Sequence, residues 1–320
     1  MINEIKGKGL FVFSDPGGAK PILSFIYNEK VNNYMVISDR KYNFFSDFDI
    51  NVETYDLNKE KEIINEYNPD YIFTGTSYKS KIELKFISEA LKLGIKTYTF
   101  IDHYTNYKER FFINDRYIYP DTIFLTDLNA RKIAIEAELN IHSDLKVSGN
   151  FFHFFLKKWK PNISRENLIP LEKINSKKKI ILFAPDPLSN INNKITYSFD
   201  ESDVWKDLST AFSNVFINNP PILIVKYHPN QNINYLKKAI KKFPVNNCFC
   251  TDSIDTNTLI YHADIVIGMF SNILVEAQIF KKEILRHIPN TKFKDPLKQS
   301  KVGQISNDLK GLVRNLKLLK

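Results

Sequence analysis

Residues 10–19 read Leu-Phe-Val-Phe-Ser-Asp-Pro-Gly-Gly-Ala, and the order of that stretch decides the fold class. A short apolar run without helical spacing, residues 10–14, predicts a strand buried on both faces, and Asp15-Pro16 ends it. Gly17 and Gly18 then let the chain turn tightly into a helix, predicted over 21–29, whose first N–H groups lie at the strand's carboxyl end. The same unit recurs outward from this point. Strands are predicted at 34–38, 52–55, 71–74, 96–101 and 122–126, with helices over 59–67, 80–93 and 129–139, and Gly94 closes the second of these. The pattern breaks at Val147-Ser148-Gly149-Asn150. It resumes with strands at 180–184, 222–227, 247–251, 265–268 and 283–285 and helices over 203–216, 233–243, 255–262 and 272–280. An α/β chain of two Rossmann-like domains, 1–150 and 179–320, follows, with 151–178 as linker and the domains facing each other across a cleft.

Composition agrees with two ordinary domains. The 320 residues are 43% hydrophobic and 25% charged, which excludes disorder and fibrous repeats. The net charge of +9 suggests a polyanion binder, but it is unevenly placed. Residues 1–150 carry 19 Lys and Arg against 22 Asp and Glu, whereas 151–320 carry 26 against 14. The surplus belongs to the second half. FFHFFLKKWKP, residues 151–161, is the one stretch that interleaves aromatic and basic side chains as a nucleic-acid surface does, and its place at the domain junction points to packing instead. No nucleic-acid partner is expected. Cys248 and Cys250 flank one residue of a strand, too close for an ordinary bridge, and are read as buried free thiols. No apolar run is long enough to span a membrane, and the opening MINEIKGKGLFVF lacks the apolar core of a signal peptide, so a cytoplasmic location is expected.

Ligand-binding groups in open α/β sheets lie at the carboxyl ends of strands. In the first half two such places are chemically rich. One is the Asp15-Pro16-Gly17-Gly18 turn, read either as a phosphate-approaching loop or as a tight turn alone. The other is the loop from Asp102 to Arg110, where Asp102, His103, Asn106 and Arg110 sit among seven polar residues. Either they satisfy one another, or Asp102 and His103 orient or deprotonate a hydroxyl on the acceptor side.

The second half repeats the layout. The strand at 222–227 ends in Lys226-Tyr227-His228-Pro229. Proline stops the strand and holds His228 at its exit, where the imidazole or imidazolium can donate to a phosphate oxygen. Some forty residues on, a buried strand ends at Gly268. Met269, Phe270, Ser271 and Asn272 then open a helix, which Ser271 either caps or leaves free to hold a phosphate. Glu276 lies one turn into that helix, inside an apolar run, as a candidate for ribose hydroxyls. Upstream, Asp200, Glu201 and Asp203 precede another helix. One acid there serves as a cap, and the others are candidates for a general base.

These motifs together resemble glycosyltransferases of the GT-B fold. The order Asp200-Glu201-Ser202, His228-Pro229, Ser271-Asn272 resembles bacterial sialyltransferases and polysialyltransferases. Their motifs are a pair of acids with glycine, His-Pro, and Ser followed by Ser or Thr; here Ser202 stands for the glycine and Asn272 for the second hydroxyl residue. The resemblance implies a base in the first motif, an acid acting on the donor phosphate at His228, and phosphate contacts at Ser271. The same positions resemble CDP-glycerol phosphotransferases, and the layout resembles UDP-sugar 2-epimerases.

The expected activity is therefore metal-independent, inverting transfer of a sugar from a nucleotide donor, with a CMP-linked nonulosonic acid as first choice, to a surface glycan or lipid-linked glycan. No Asp-X-Asp motif lies in the loops expected to face the cleft, and no metal or resident cofactor is expected, because His228, a helix start and lysines supply the positive charge. Epimerisation or hydrolysis of a UDP-sugar and CDP-polyol phosphotransfer are the enzymatic alternatives; a basic nucleic-acid or membrane binding module is the other. The C-terminal segment has helical spacing, with Leu309, Leu312 and Leu316 on one face and Lys310, Arg314 and Lys317 on another. It is expected to pack on the first domain, or to touch an anionic inner leaflet peripherally.

Overall fold

The structure, a computed structural model, describes residues 5–320 except 57, 78–79, 170–176, 192–196, 229, 290–294, 296 and 299–300. The chain divides into two compact units, Met1–Lys158 and Trp159–Lys320. The first is built on β1 (Gly9–Phe13), β2 (Tyr34–Ser38), β3 (Glu53–Thr54), β4 (Tyr71–Thr74) and β5 (Lys96–Ile101). A hairpin of β6 (Phe112–Ile113) and β7 (Arg116–Tyr117) leads to β8 (Thr122–Leu125) and β9 (Asp144–Val147). Seven of these strands form one parallel sheet in the order β3-β2-β1-β4-β5-β8-β9.

The order reverses between β1 and β4, so their carboxyl ends open a crevice. Strand β1 is buried throughout because helices cover both faces of the sheet: Leu10 and Val12 join one core with Ile72 and Phe86. Phe11 meets Phe25 and Phe73 on the other face, at 6.1 and 6.0 Å between ring centroids.

The first helix spans Pro16–Glu29, starting five residues before the predicted point. Pro16, not Pro21, takes the first helical position, where a missing N–H costs nothing. Residues 151–156, read as linker, are a helix, Phe151–Leu156, packed against Pro16–Glu29 in the first unit. Asn150 caps it through Phe152 N at 3.0 Å, and Phe151, Phe152 and Phe155 are buried, Phe151 lying 5.2 Å from the Phe25 ring.

The second unit contains β10 (Ile180–Ala184), β11 (Ile222–Lys226), β12 (Cys248–Thr251), β13 (Ile265–Gly268), β14 (Glu283–His287) and β15 (Gln304–Ser306). They form a parallel sheet ordered β12-β11-β10-β13-β14-β15, with its switch point between β10 and β13. Alternate residues of β10 feed opposite cores. Ile181 and Phe183 pack with Trp205 and Leu316, whereas Ile180 and Leu182 pack with Leu259 and Leu274.

Two expectations change here. Cys250 is exposed and Cys248 half-buried, because β12 is the sheet's edge. Their hydrogen bond pushes the Cys248 thiol up and draws Cys250 down. The C-terminal helix, Leu309–Leu319, expected to pack on the first domain, packs on helix Glu201–Val215 of its own unit and buries Leu312 and Leu316 there. Its apolar face is spent on that core. Among the described residues no helix is long and apolar enough to cross a membrane.

Candidate functional site

At the first unit's switch point three loops converge. Thr76 follows β4, and Arg110 ends the loop after β5; Arg110 Nη1 donates to Thr76 Oγ1 at 2.6 Å and reaches Asp102 Oδ1 at 3.4 Å. A side chain at Gly17 would collide with the Asp102 carboxylate, so the glycine admits that acid to the start of helix Pro16–Glu29. Gly18 is small for a different reason: a Cβ on Gly75 would stand 2.6 Å from Gly18 Cα, so the two backbones touch. Both glycines therefore serve close internal approaches. Of the two readings of this turn, these approaches account for the glycines as a tight turn, with the Asp102 carboxylate close to Gly17.

Asp15, half-buried, pairs with Arg40 at 2.9 Å. His103 is held below its ordinary value by burial; Asp102 opposes that shift and Arg110 reinforces it. The ring is thus neutral near pH 7, with Nδ1 3.0 Å from Thr105 Oγ1, and Nε2 has no partner among the described residues. A neutral imidazole beside a carboxylate can take a proton from a hydroxyl. Asn106 does not join this group. It is exposed in the left-handed region at φ 56°, its carbonyl accepts Arg110 N at 3.3 Å, and it lines a separate open recess of about 390 Å³ with Tyr104 and Lys108.

In the second unit β11 and β13 flank β10 on either side, and their ends carry the predicted residues. His228 Nδ1 accepts Asn230 N at 3.1 Å. That bond fixes the neutral tautomer with hydrogen on Nε2, which has no partner among the described residues, and burial holds the imidazole below its usual value. The structure therefore favours the neutral donor over imidazolium. Pro229 lies outside the described residues. Lys226 commits a proton to Asp252 O at 2.6 Å, and burial lowers its ammonium.

Gly268 lets β13 approach its neighbours: a Cβ there would lie 3.1 Å from Ala184 O and from the Leu274 side chain. Ser271 has cap backbone angles at the start of helix Asn272–Ile279, yet its side chain makes no capping bond. Its hydroxyl is not used by the helix it opens. Asn272 is exposed beside it, and Glu276 is buried one turn on.

Asp200 and Glu201, the candidates for the base, are both buried and engaged within the second unit. Asp200 caps helix Glu201–Val215 through Ser202 N and Asp203 N, Asp203 returns a bond to Asp200 N, and Tyr235 OH donates to Asp200 at 2.7 Å. Glu201 is fully buried, accepting Ser189 N at 2.9 Å, Gln231 Nε2 at 2.6 Å and the Ser189 hydroxyl. Since Gln231 N bonds His228 O at 2.8 Å, Glu201 anchors the turn that carries His228.

Three buried groups escaped the sequence reading. Glu83 lies under the first crevice. Asp186, after β10, accepts Phe270 N at 3.1 Å, and burial pushes its carboxyl up to about 7 against the pull of Arg286. Arg286 is fully buried; it donates to Met269 O at 2.8 Å and pairs through both terminal nitrogens with Asp295. A signal for Asp186 existed, because Asp186-Pro187 follows the second unit's first strand as Asp15-Pro16 follows β1. Among the described residues no group of three or more His, Cys, Asp or Glu side chains could hold a metal ion.

No protein-family profile matches the chain, and no curated protein matches it. Solved structures do resemble it. The UDP-GlcNAc 2-epimerase of Methanocaldococcus jannaschii superposes with a TM-score of 0.70 at 13% identity, covering 98% of this chain and 92% of that one. The UDP-GlcNAc 2-epimerase of Neisseria meningitidis, bound to UDP-GlcNAc, gives 0.70 at 14% identity over 98% and 91%. A kitacinnamycin glycotransferase gives 0.54 at 8% identity over 98% and 95%. At such identities the likeness establishes the fold: two α/β units with parallel sheets, of the GT-B-like kind.

Proposed function

We propose that the chain is an enzyme acting on a nucleotide sugar held by its second unit. The observation that carries this is His228, a neutral imidazole fixed by Asn230 whose Nε2–H has no partner among the described residues, at the end of β11, while Ser271, whose hydroxyl makes no capping bond, follows β13 on the other side of β10. An N–H donor, a hydroxyl and a helix start together suit a phosphate leaving group, and Glu276 suits the ribose. Transfer to a glycan acceptor ranks first, because His103 beside Asp102 in the first unit has the chemistry of a base for a hydroxyl; direct displacement by that hydroxyl inverts the anomeric centre.

Epimerisation or hydrolysis ranks second, favoured by the likeness to UDP-GlcNAc 2-epimerases. The CMP-linked donor rests on the motif order alone, and Asp200 and Glu201, the base candidates of that order, are buried. A thermal-shift panel of CMP, CDP, UDP and GDP tests the assignment. Any ligand bound by the native state at 100 times its dissociation constant stabilises by about 2.7 kcal/mol. A rise in Tm with CMP and CDP supports the first donor; a rise with UDP alone rejects it in favour of the UDP-sugar; no rise with any nucleotide removes the proposal.

A further inference from the structure

We propose that Glu83 is the positioning residue of the first unit's crevice, holding Asp15 and the β1 turn in place from a carboxylate sealed away from solvent. Glu83 lies in the first turn of helix Ile82–Lys92 and is 3% exposed. One of its oxygens, Oε1, accepts Ser14 N at 3.0 Å and the Ser77 hydroxyl. Ser77 Oγ in turn accepts Asp15 N at 2.9 Å. The N–H groups of two successive residues after β1 thus end, directly or through one hydroxyl, on a single carboxylate oxygen. That oxygen also ties the end of β4 to the end of β1.

A purely structural knot at this place needs only an acceptor, and burying an ionisable group there is expensive. Glu83 faces Ser14 and Asp15 from the β1 turn and Ser77 from the β4 end. It shares with Thr76, Ser80, Thr99 and Arg110 the lining of a small enclosed cavity of about 10 Å³, room for a single water. Burial and the charge of Asp15 push its carboxyl up to about 7, against the pull of Ser77 and Ser14. Ionised, Glu83 makes charge-assisted bonds, but the raised value shows that burial of the charge outweighs them. Protonated, it accepts the same bonds without a dry charge. The crevice is therefore firm below neutrality and opens more readily as pH rises towards 7, so Asp15 and its partner Arg40 are positioned in step with the charge on Glu83.

The test uses the full-length protein and Glu83→Gln, which keeps size and one acceptor oxygen but has no charge to lose. Amide hydrogen exchange at Ser14 and Asp15, corrected for intrinsic rate, is followed from about pH 5.5 to 8.5. Protection in the wild type is expected to fall by about tenfold between pH 5.5 and 7.5 and to level off above, and in Glu83→Gln to be flat across the range. A flat wild-type profile overturns the proposal even if the variant does not fold, and so does a variant that follows the wild type. A second arm rests on the reading of the chain as a nucleotide-sugar enzyme and measures release of nucleotide from UDP-N-acetylglucosamine and from a CMP-linked nonulosonic acid. A misplaced group can cost on the order of 100-fold. Glu83→Gln is expected to keep kcat within about threefold below pH 6 and to lose the limb near pH 7, whereas Glu83→Ala, which removes the acceptor, is expected to lower kcat by about 10- to 100-fold with KM little changed. Unchanged kcat in Glu83→Ala and an unchanged pH profile in Glu83→Gln count against positioning, whereas absence of turnover in the wild type counts against that reading and leaves exchange to decide.

Discussion

Arg286→Ala is expected to destabilise the second unit by about 3–5 kcal/mol, the usual result of removing one partner from a buried ion pair. The guanidinium is fully buried, and its loss strands Asp295, whose side chain is 11% exposed, together with the Met269 carbonyl. For a unit of this size each kcal/mol lowers Tm by roughly 2–4 °C, so a fall of about 6–20 °C is expected. Calorimetry should place that fall in one of two transitions, since two separate cores need not unfold together. Removing Asp295 as well, in Arg286→Met/Asp295→Leu, should recover much of the loss. A decrease below about 1 kcal/mol in the single variant would show that the pair is not sealed as described.

His228→Ala is expected to reduce turnover a hundredfold or more, since a donor aimed at developing negative charge is commonly worth about 3 kcal/mol of barrier. Two further variants separate the donor from the scaffold. His228→Asn keeps an acceptor near the Nδ1 position for Asn230 N but has nothing at Nε2; His228→Gln offers an amide donor near Nε2. Gln should retain more activity than Asn. A neutral imidazole donates without being charged, so activity should not decline between about pH 7 and 9 on account of this residue. Turnover of His228→Ala within threefold of the wild type, with the fold intact, would remove the residue from the reaction.

Much of the architecture could be read from sequence because the sheets are covered on both faces. Strands such as β1, β10 and β13 then appear as uninterrupted apolar runs bounded by Asp-Pro, Gly or Ser. The parts that were missed have different physics. β9 and β15 lie at sheet edges and are half polar, so neither periodicity nor apolarity marks them. Helix Phe151–Leu156 is six residues of aromatic-rich sequence whose helical state comes from packing on Pro16–Glu29, not from propensity. The spacing Asp200-x-x-Asp203 did carry a capping signal, outweighed by the apparent surplus of acid. Residues at strand ends were found because topology puts ligand groups there. Glu83 was not, since the bond to Ser14 spans 69 positions and no local pattern announces it. Arg286 sits mid-strand, where its charge reads as a surface position until the neighbouring loop supplies Asp295.

Each unit keeps one carboxyl group, Glu83 or Asp186, near 7 when folded, against ordinary values of 4.5 and 3.8. Between those limits the folded chain holds protons that the unfolded chain has already released, so folding draws protons from the buffer and stability contributed by these groups falls as pH rises through that window. Above neutrality both sites store an unfavourable ionisation in dry surroundings. The carboxylate that organises each crevice is then also the group that gains most from water, which makes these two strand ends the natural places for the native protein to breathe.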